Sequence, residues 1–324
     1  MSNIFKSSVG HLTQTKDWMR FQEALGRKTF EASGDGWSYR AALEKSEPVL
    51  GKSSTRLYAT YGPVAKDVKS LNEALNSLKN LAISQKASYI RVDPYPYFEE
   101  SELKKLGLRK NLRDLQPNMT WILDLHPSED ELLMGMTSLN RRIWRRRQEF
   151  GLSFEEDSSP KGRNEFAKFI EIISKRTNTI PRSPQYMATL LETFGHDKSG
   201  IVFCLHDGKR LAGALYVDDL ENKTRYYLYA GSVEEAKKYS CGSALLCYLI
   251  FGAKAKGMEH FDFFGVIPEG IKNHPYTGYS AFKRTFGGHD VNFSGTWELP
   301  INKTSHAVIR LGRLAAKAIK KFKK

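Results

Sequence analysis

Residues Tyr227–Asp262, YLYAGSVEEAKKYSCGSALLCYLIFGAKAKGMEHFD, have the pattern of an aromatic strand, a glycine turn, an amphipathic helix and a second strand that ends in aspartate. Residues Tyr58–Asp93 have the same pattern and align with that stretch without a gap. The aligned pairs include Tyr58 with Tyr227, Gly62 with Gly231 and Asp93 with Asp262. Such a repeat predicts a duplicated domain, and because the identity is slight, chance similarity between two α/β units is the alternative.

Outside the two copies, short β-rich runs alternate with helical patterns, which predicts a mixed α/β (α+β) fold. The predicted strands are Arg56–Tyr61, Tyr89–Val92, Met119–Leu125, Ile201–His206, Leu211–Val217, Arg225–Ala230 and His260–Phe264. The predicted helices are Val68–Lys86, Glu129–Glu149, Asn164–Arg176, Ser240–Lys256 and Ala307–Phe322. Turn sequences at Asp207-Gly208 and at residues 220–223 separate three consecutive strands, so we predict an antiparallel meander there.

The chain has 324 residues, which is enough for two domains. Together with the repeat, this length predicts tandem domains of residues 1–150 and 151–300, divided near Gly151. A helical segment, residues 301–324, follows them.

The charge balance is strongly basic, with 50 Lys and Arg against 36 Asp and Glu and a net charge of +14. This excess favours a polyanionic partner, such as nucleic acid, nucleotide phosphates or an anionic membrane. The sequence has no HExxH, GxSxG or GxxxxGK[ST] motif and no metal-ligand spacing. Zinc hydrolases, serine hydrolases and P-loop enzymes therefore lose support.

The three cysteines have no CxxC spacing, and we expect them to be buried, reduced thiols. The first residues, MSNIFKSSVG, lack the apolar core of a signal peptide. No later stretch reaches the ~18 apolar residues of a membrane-spanning helix. We therefore expect a cytoplasmic protein.

The helix start in the second copy is similar to the coenzyme A loop of GNAT-type acetyltransferases, where the N-terminal amides of a helix bind a pyrophosphate. That class has the motif [RQ]-x-x-G-x-[GA], whereas Tyr239–Ala244 reads YSCGSA, with Tyr239 in place of the leading Arg or Gln. The pattern therefore favours a GNAT-like fold but not coenzyme A binding. Gly242 is also explained as a packing glycine near a helix start.

Several motifs in a fixed order resemble the Fem-type (FemABX) peptidyltransferases, which build peptidoglycan cross-bridges with two GNAT-like domains and aminoacyl-tRNA as donor. The most specific part lies between Leu211 and Pro300, with LAGALYV, YYLYAGS, HFDFFG, HPYTGYSAFKRTFGG and GTWELPI in this order. Supporting motifs are LYATYGP at residues 57–63, RVDP at 91–94, QP at 116–117 and SKRTN at 174–178. The chain lacks the long charged helical hairpin of some members, so it resembles the compact ones.

The resemblance implies a tandem GNAT-like fold and aminolysis of an ester. An amine of the stem peptide attacks the aminoacyl carbonyl, and the tRNA leaves through its terminal ribose oxygen. The implied partners are aminoacyl-tRNA and a UDP-linked or lipid-linked muropeptide, with no cofactor, no metal and no covalent enzyme intermediate. We expect the protein to act as a monomer, the first domain on the acceptor side and the second around the donor.

By the same resemblance, Lys283 matches a lysine near the donor carbonyl, and Phe282 lines the same channel. Asp93 is placed to orient or deprotonate the incoming amine. From the residues alone, the alternatives are a solvated surface lysine for Lys283, a core aromatic for Phe282 and a cap on residues 95–97 for Asp93.

Lys28 and Arg176 match basic positions through which family members hold acceptor phosphates. The remaining candidates for the substrate channel are Tyr186, Tyr227 and Tyr229. The alternatives are surface cations for the first pair and ordinary core aromatics for the tyrosines.

Two basic segments remain. The first is an arginine cluster, which we predict to contact tRNA phosphates, with a solvated surface as the alternative. Its members are Arg141, Arg142, Arg145, Arg146 and Arg147. The second is the amphipathic stretch Ile309–Lys324, whose apolar side either covers the first domain, as in the family, or lies on an anionic bilayer at the inner face of the membrane.

Three functions therefore compete at this stage. The preferred one is a tRNA-dependent aminoacyltransferase of cell-wall synthesis. A GNAT-type N-acyltransferase that uses acyl coenzyme A is the second, and Tyr239 argues against it. A non-catalytic module that binds tRNA or membrane is the third, but it leaves the duplicated fold and the setting of Lys283 unexplained.

Overall fold

A computed structural model describes residues 10–45, 54–177 and 179–322, with side chains up to residue 315. The described chain forms two compact units. The first contains the residues up to Asn118 and those from Asn292 onward, and the second contains Met119–Val291. Each unit has a mixed β-sheet with helices packed on it, so the predicted tandem α/β architecture is confirmed.

The first unit has, within its described residues, seven strands in the order β1-β2-β3-β5-β14-β6, with β4 beside β2. The strands are β1 (Lys28–Gly34), β2 (Trp37–Lys45), β3 (Thr55–Ala59), β4 (Val64–Ala65), β5 (Tyr89–Val92), β6 (Arg109–Lys110) and β14 (Trp297–Pro300). The helices are α1 (Lys16–Ala24), α2 (Val68–Ser84), α3 (Glu100–Lys105) and α10 (Lys303–Phe322), with a 3₁₀ turn at Leu12–Gln14.

Helix α2 links the parallel strands β3 and β5 and forms the core of this unit. Asp67 caps its first turn by accepting a 2.7 Å hydrogen bond from the Ser70 amide. Leu71, Leu75 and Leu78 recur at helical spacing and are fully buried against the sheet.

The second unit likewise has seven strands among its described residues, in the order β13-β7-β12-β11-β10-β9-β8. They are β7 (Met119–Asp124), β8 (Leu152–Glu156), β9 (Ser199–His206), β10 (Lys209–Asp219), β11 (Thr224–Ser232), β12 (His260–Gly265) and β13 (His289–Asn292). The helices are α4 (Glu129–Gly135), α5 (Ser138–Arg145), α6 (Pro160–Thr177), α7 (Pro184–Phe194), α8 (Cys241–Ala255) and α9 (Thr277–Arg284), with a 3₁₀ turn at Glu234–Lys237.

Strands β9, β10 and β11 pair antiparallel in succession, so the predicted meander is confirmed. The helix predicted over Glu129–Glu149 is instead two helices. Met136 adopts an extended conformation and is buried, and Thr137 is then the N-cap of α5. Burial of Met136 in the core accounts for the break. Cys204, Cys241 and Cys247 are free and buried, as expected.

The two units divide the chain differently from the expected boundary near Gly151. Strand β7 pairs antiparallel with β12 of the second sheet, so the chain enters the second unit at Met119. Strand β14 pairs with β5 and β6, so the chain returns to the first unit at Asn292. Backbone pairing, rather than chain order, decides which unit each strand joins.

The internal repeat is present as two strand–helix–strand units, β3-α2-β5 and β11-α8-β12, each with parallel strands. The registers differ by three residues, because Arg56 lies opposite Tyr89 whereas Arg225 lies opposite Phe261 rather than Met258. Gly231 lies inside β11 and not in the expected turn. A Cβ there would stand 2.6 Å from the Phe169 carbonyl group, so the glycine allows α6 to approach the sheet.

Helix α10 packs on the first unit with Ile309 of the expected apolar side, whereas Leu311 and Leu314 of that side stay exposed. His306 and Ile309 are buried, and Arg313 donates to Glu298 at 2.8 Å and to the Tyr89 hydroxyl at 2.7 Å. Leu311 is 65% exposed. The packed face is therefore mainly ionic, because the buried Glu298 attracts the basic side of the helix.

Candidate active site

Helix α9 carries Lys283 at its C-terminal end. Its Nζ donates to the carbonyl oxygens of Gly265 at 2.7 Å and of Phe264 at 3.3 Å, both at the end of β12. Burial lowers the pKa of Lys283 to about 8, against the opposing attraction of Asp262. Lys283 is thus a tethered ammonium whose charge is lost just above neutral pH.

Asp262 shapes the backbone that holds this lysine. The Thr120 hydroxyl on β7 donates to Asp262 at 2.5 Å, and the Phe264 amide donates to the same oxygen at 2.6 Å. Phe264 has a left-handed φ of 62°, which turns the chain at the point where its carbonyl oxygen and that of Gly265 accept from Lys283. Burial raises the pKa of Asp262 to about 6.

Asp93 has the corresponding place in the first unit. It accepts from the Thr296 hydroxyl at 2.6 Å, the Tyr58 hydroxyl at 2.6 Å and the Tyr61 amide at 3.3 Å. It is 3% exposed, and burial raises its pKa to about 6. These contacts differ from the expected cap on residues 95–97 and favour a structural role within the first unit.

The threonines reveal a second repeated signal. Residues 120–123 read Thr-Trp-Ile-Leu, and residues 296–299 read Thr-Trp-Glu-Leu. Each segment runs antiparallel to the strand that carries a buried aspartate. By this match, Asp262 is the counterpart of Asp93 in the second unit. The two aspartates were aligned in the sequence, but Asp262 was not predicted to be a site residue.

Tyr279 lies one helical turn before Lys283 and links it to Arg176. The Arg176 Nε donates to the Tyr279 hydroxyl at 3.1 Å, and the guanidinium lies 5.3 Å from the centre of that ring. Burial, with the proximity of Tyr279, raises the pKa of Tyr227. The short helix α9 carries both Tyr279 and Lys283, and Arg176 and Tyr227 lie near Tyr279. We call these four residues, together with Asp262, the α9 site.

A second arginine extends the aromatic surroundings. Arg182 lies 4.9 Å from the centre of the Tyr186 ring and hydrogen-bonds to Tyr229. Both tyrosines were predicted from the sequence, whereas Arg182, six residues after Arg176, was not. Asn178 of the SKRTN motif lies outside the described residues.

Phe282 is partly buried and packs against the core of the second unit. Its ring packs edge-on against Phe286, with the ring centres 5.2 Å apart. A Cβ on Gly242 would meet the Phe282 ring at 3.7 Å, which is an ordinary contact. Packing therefore does not require glycine at the start of α8, and Phe282 lies beside that helix terminus.

Lys28 belongs to the first unit, where it begins β1. It is exposed, and its Nζ donates to the Gln85 side chain at 2.9 Å. It shares no described partner with Asp93, which is bonded to Tyr58 and Thr296.

The arginine cluster divides into two groups. Arg141 donates to the Met134 and Met136 carbonyls, and Arg147 donates to the Trp144 carbonyl at 2.7 Å with its guanidinium 4.1 Å from the indole. Both support the local fold. The exposed members are Arg142, Arg145 and Arg146, and Arg146 pairs with Glu149 at 2.8 Å.

A cavity of about 520 Å³ opens beside Arg142, between the end of α5 and the start of α8. Lys238, Tyr239 and His206 also line it. Tyr239 stacks on His206 with the ring centres 3.5 Å apart. The residue that replaces the Arg or Gln of the coenzyme A motif is thus engaged in an aromatic pair.

Over residues 10–45, 54–177 and 179–322, no group of three or more His, Cys, Asp or Glu side chains has the arrangement of a metal site. Within the same ranges, none of the helices combines the length and apolar character needed to cross a membrane.

Comparison with known proteins gives consistent relatives. Residues 203–313 match the model of the FemAB family. A lipid II:glycine glycyltransferase of Staphylococcus aureus (strain USA300) is 22% identical, and the alignment covers 97% of this chain and 95% of that protein.

Solved structures share the fold. The crystal structure of FemX superposes with a TM-score of 0.80 at 19% identity, covering 95% of this chain and 96% of that one. A tandem GNAT protein from the clavulanic acid biosynthesis pathway has a TM-score of 0.52 at 11% identity, with coverage of 85% and 83%. These findings confirm the resemblance to the Fem-type family and the tandem GNAT-like fold.

Proposed function

We propose that this protein transfers an aminoacyl group from aminoacyl-tRNA to the stem-peptide amine of a peptidoglycan precursor, forming an interpeptide-bridge amide. The observation that carries the proposal is Lys283, an ammonium tethered beside Asp262 and one turn from Tyr279. The similarity to a lipid II:glycine glycyltransferase over 97% of the chain supports the reaction class.

The reaction needs little covalent chemistry from the protein. The neutral acceptor amine attacks the ester carbonyl, a C–N bond forms, the C–O bond to the ribose breaks, and the amine proton passes to the leaving ribose oxygen. The donor is already activated, so positioning of the two substrates and stabilisation of the oxyanion supply most of the acceleration.

Lys283 is the oxyanion donor in this proposal. Two of the three N–H groups of its ammonium are directed to the Gly265 and Phe264 carbonyls, which fix the position of Nζ. The third N–H has no partner among the described residues and is available to the tetrahedral intermediate. Asp262 acts as a positioning residue, because it holds the turn that carries both carbonyls.

Asp93 is not the base in this proposal. It is 3% exposed and its carboxylate accepts three hydrogen bonds from its own unit. The proton is instead transferred within the substrates, from the amine to the ribose oxygen.

Arg176 and Arg182 are proposed to hold the diphosphate of a UDP-linked or lipid-linked acceptor. Guanidinium groups bind phosphate oxygens in a bidentate manner. Tyr186 and Tyr229 contact Arg182, and Tyr227 lies near Tyr279; we propose that all three line the acceptor channel.

The exposed arginines of α5 are proposed to receive the donor. Arg142 and Arg145 are exposed, and Arg142 borders the cavity that Lys238 also lines. Contacts of this kind bind tRNA phosphates without regard to sequence and weaken as salt rises.

The test is mass spectrometry of UDP-linked and lipid-linked muropeptides after incubation with the protein and a mixed aminoacyl-tRNA pool. We expect a muropeptide with one or more added amino-acid residues, and no product when acyl coenzyme A replaces the tRNA pool. Turnover of acyl coenzyme A on a free amine, with none from any aminoacyl-tRNA, would favour the N-acyltransferase instead.

A further inference from the structure

The C-terminal helix α10 is fixed to the first unit along one side. His306 Nε2 donates to the Glu298 carboxylate at 2.9 Å, Arg313 pairs with the same carboxylate, and Arg310 donates to the Lys110 carbonyl at 3.2 Å. Burial raises the pKa of Glu298, but the His306 hydrogen bond and the charges of Arg91 and Arg313 outweigh it and hold the pKa at about 2. The carboxylate therefore stays ionised and keeps this orientation of the helix.

The opposite side of α10 is apolar and exposed. Val308 is 43% exposed, Leu311 65% and Leu314 42%, and their spacing places them along one stripe. The sequence continues the apolar pattern at Ala318, Ile319 and Phe322. An amphipathic helix on a protein surface normally packs its apolar face against the protein core. The apolar face of α10 points outward instead, so we expect it to be covered by an apolar environment outside this chain.

The charge of the segment identifies that phase. Residues 303–324 contain eight Lys and Arg and no Asp or Glu. A second copy of the chain is a poor occupant, because pairing two such stripes would bring two strongly cationic segments together. An anionic lipid surface accepts the apolar stripe and attracts the cations at the same time.

We infer that α10 lies in the interface of an anionic lipid bilayer, with Val308, Leu311 and Leu314 at the acyl boundary and the basic charge of the segment attracted to the headgroups. Arg313 is already paired with Glu298, so Arg310 and the six lysines of the segment supply the attraction. The inference does not depend on the proposed transfer reaction, although it would bring the protein to the surface where a lipid-linked acceptor resides.

Cosedimentation with vesicles tests this. The vesicles are pure phosphatidylcholine or phosphatidylcholine with about 30% phosphatidylglycerol. We expect the parent protein to bind the anionic vesicles, to be released by salt, and to ignore the neutral ones. The variant Val308→Ser/Leu311→Ser/Leu314→Ser should lose about tenfold or more of the vesicle affinity, because it removes the apolar contacts and keeps every charge.

The matched control is Ile83→Ser/Leu220→Ser, which removes exposed apolar side chains elsewhere, 64% and 46% exposed, and should leave vesicle binding unchanged. In a separate variant, Leu311→Trp, the tryptophan emission should shift to shorter wavelength on anionic vesicles. The inference is overturned if the parent ignores anionic vesicles, binds neutral ones equally, or binds as well after the serine changes. A dimer that the serine changes dissociate would also overturn it, assigning the stripe to a second copy.

Discussion

Lys283 is the residue on which the proposed chemistry depends most. If its ammonium meets charge that develops mainly in the transition state, Lys283→Met should lower kcat by about 10²- to 10³-fold, the scale for loss of one oxyanion donor. Substrate binding should change little, because the ground-state carbonyl carries only partial charge. Methionine keeps most of the length of the apolar stem, and single-turnover transfer with both substrates saturating is the measurement.

The control for this change is Lys168→Met, which removes an exposed lysine on α6 and should leave transfer intact. Because burial lowers the pKa of Lys283 to about 8, parental kcat should fall as pH rises through that value, whereas Lys283→Arg should lack this fall. Near-parental transfer by a folded Lys283→Met protein would remove the residue from the mechanism.

The buried Asp93 makes a prediction about stability. Burial raises the pKa of Asp93 from 3.8 to about 6. Between pH 3.8 and about pH 6, the Asp93 carboxyl is therefore protonated in the folded state and ionised in the unfolded state. Its neutral form favours folding below pH 3.8, and this contribution is lost as pH rises through about 6. The cost at neutral pH is about 3 kcal/mol at the usual 1.36 kcal/mol per pKa unit.

Asp93→Asn keeps the shape without the charge. The free energy of unfolding of the variant minus that of the parent should therefore increase as the pH rises from about 4 to about 7. Chemical denaturation of both proteins at the two pH values measures this difference. Parallel pH dependence in parent and variant would mean that Asp93 is ionised at little cost in the folded protein.

At the scale of elements, helix α5 separates two kinds of arginine. Arg142→Ala/Arg145→Ala removes exposed charges, and each lost phosphate contact should reduce the salt slope of tRNA binding by roughly 0.7 to 0.9. Lys104→Ala/Lys105→Ala on α3 removes the same number of charges from the other unit and serves as the control. If both double variants bind tRNA with the parental affinity and slope, α5 does not receive the donor.

Elements with strong periodicity were predictable from the sequence. Strand β5 has the predicted bounds, and α8 differs from its prediction by one residue at each end. Helix α7 was missed although Ser183 and Pro184 are a recognised start signal. The hairpin of β1 and β2 was missed because its residues, KTFEASG and WSYRAALEK, lack clean alternation of apolar and polar side chains.

The candidate site was predictable only in part. Lys283 and Arg176 were named through the family resemblance, since neither residue is distinctive in composition or spacing. Asp262, Tyr279 and Arg182 were not named, because their importance arises from contacts with Phe264, Arg176 and Tyr186 that only the fold brings about. The outward apolar stripe of α10 also depends on the fold, through the buried Glu298.

At the scale of the whole molecule, the chain leaves the first unit at Met119 and returns to it at Asn292, so a strand's position in the sequence does not decide its unit. Substitution of one tryptophan in each unit tests this assignment. Trp297 is fully buried in β14 of the first unit, so Trp297→Ala should cost about 3 to 5 kcal/mol of stability. Hydrogen exchange should then rise at β3 and β5 rather than at β11 and β12. Trp121→Ala in β7 is the matched change and should affect the second unit instead; the reverse pattern would contradict the strand assignment.

The central claim is that one molecule hands an aminoacyl group directly from tRNA to the stem-peptide amine. The most direct measurement is single-turnover transfer from tRNA carrying a labelled amino acid, with the label followed on tRNA, protein and muropeptide. We expect the label to leave tRNA as it appears in an amide of the muropeptide, and never to appear on the protein. N-acetylation of the acceptor amine should abolish transfer. Label bound covalently to the protein, or transfer to the N-acetylated acceptor, would contradict it.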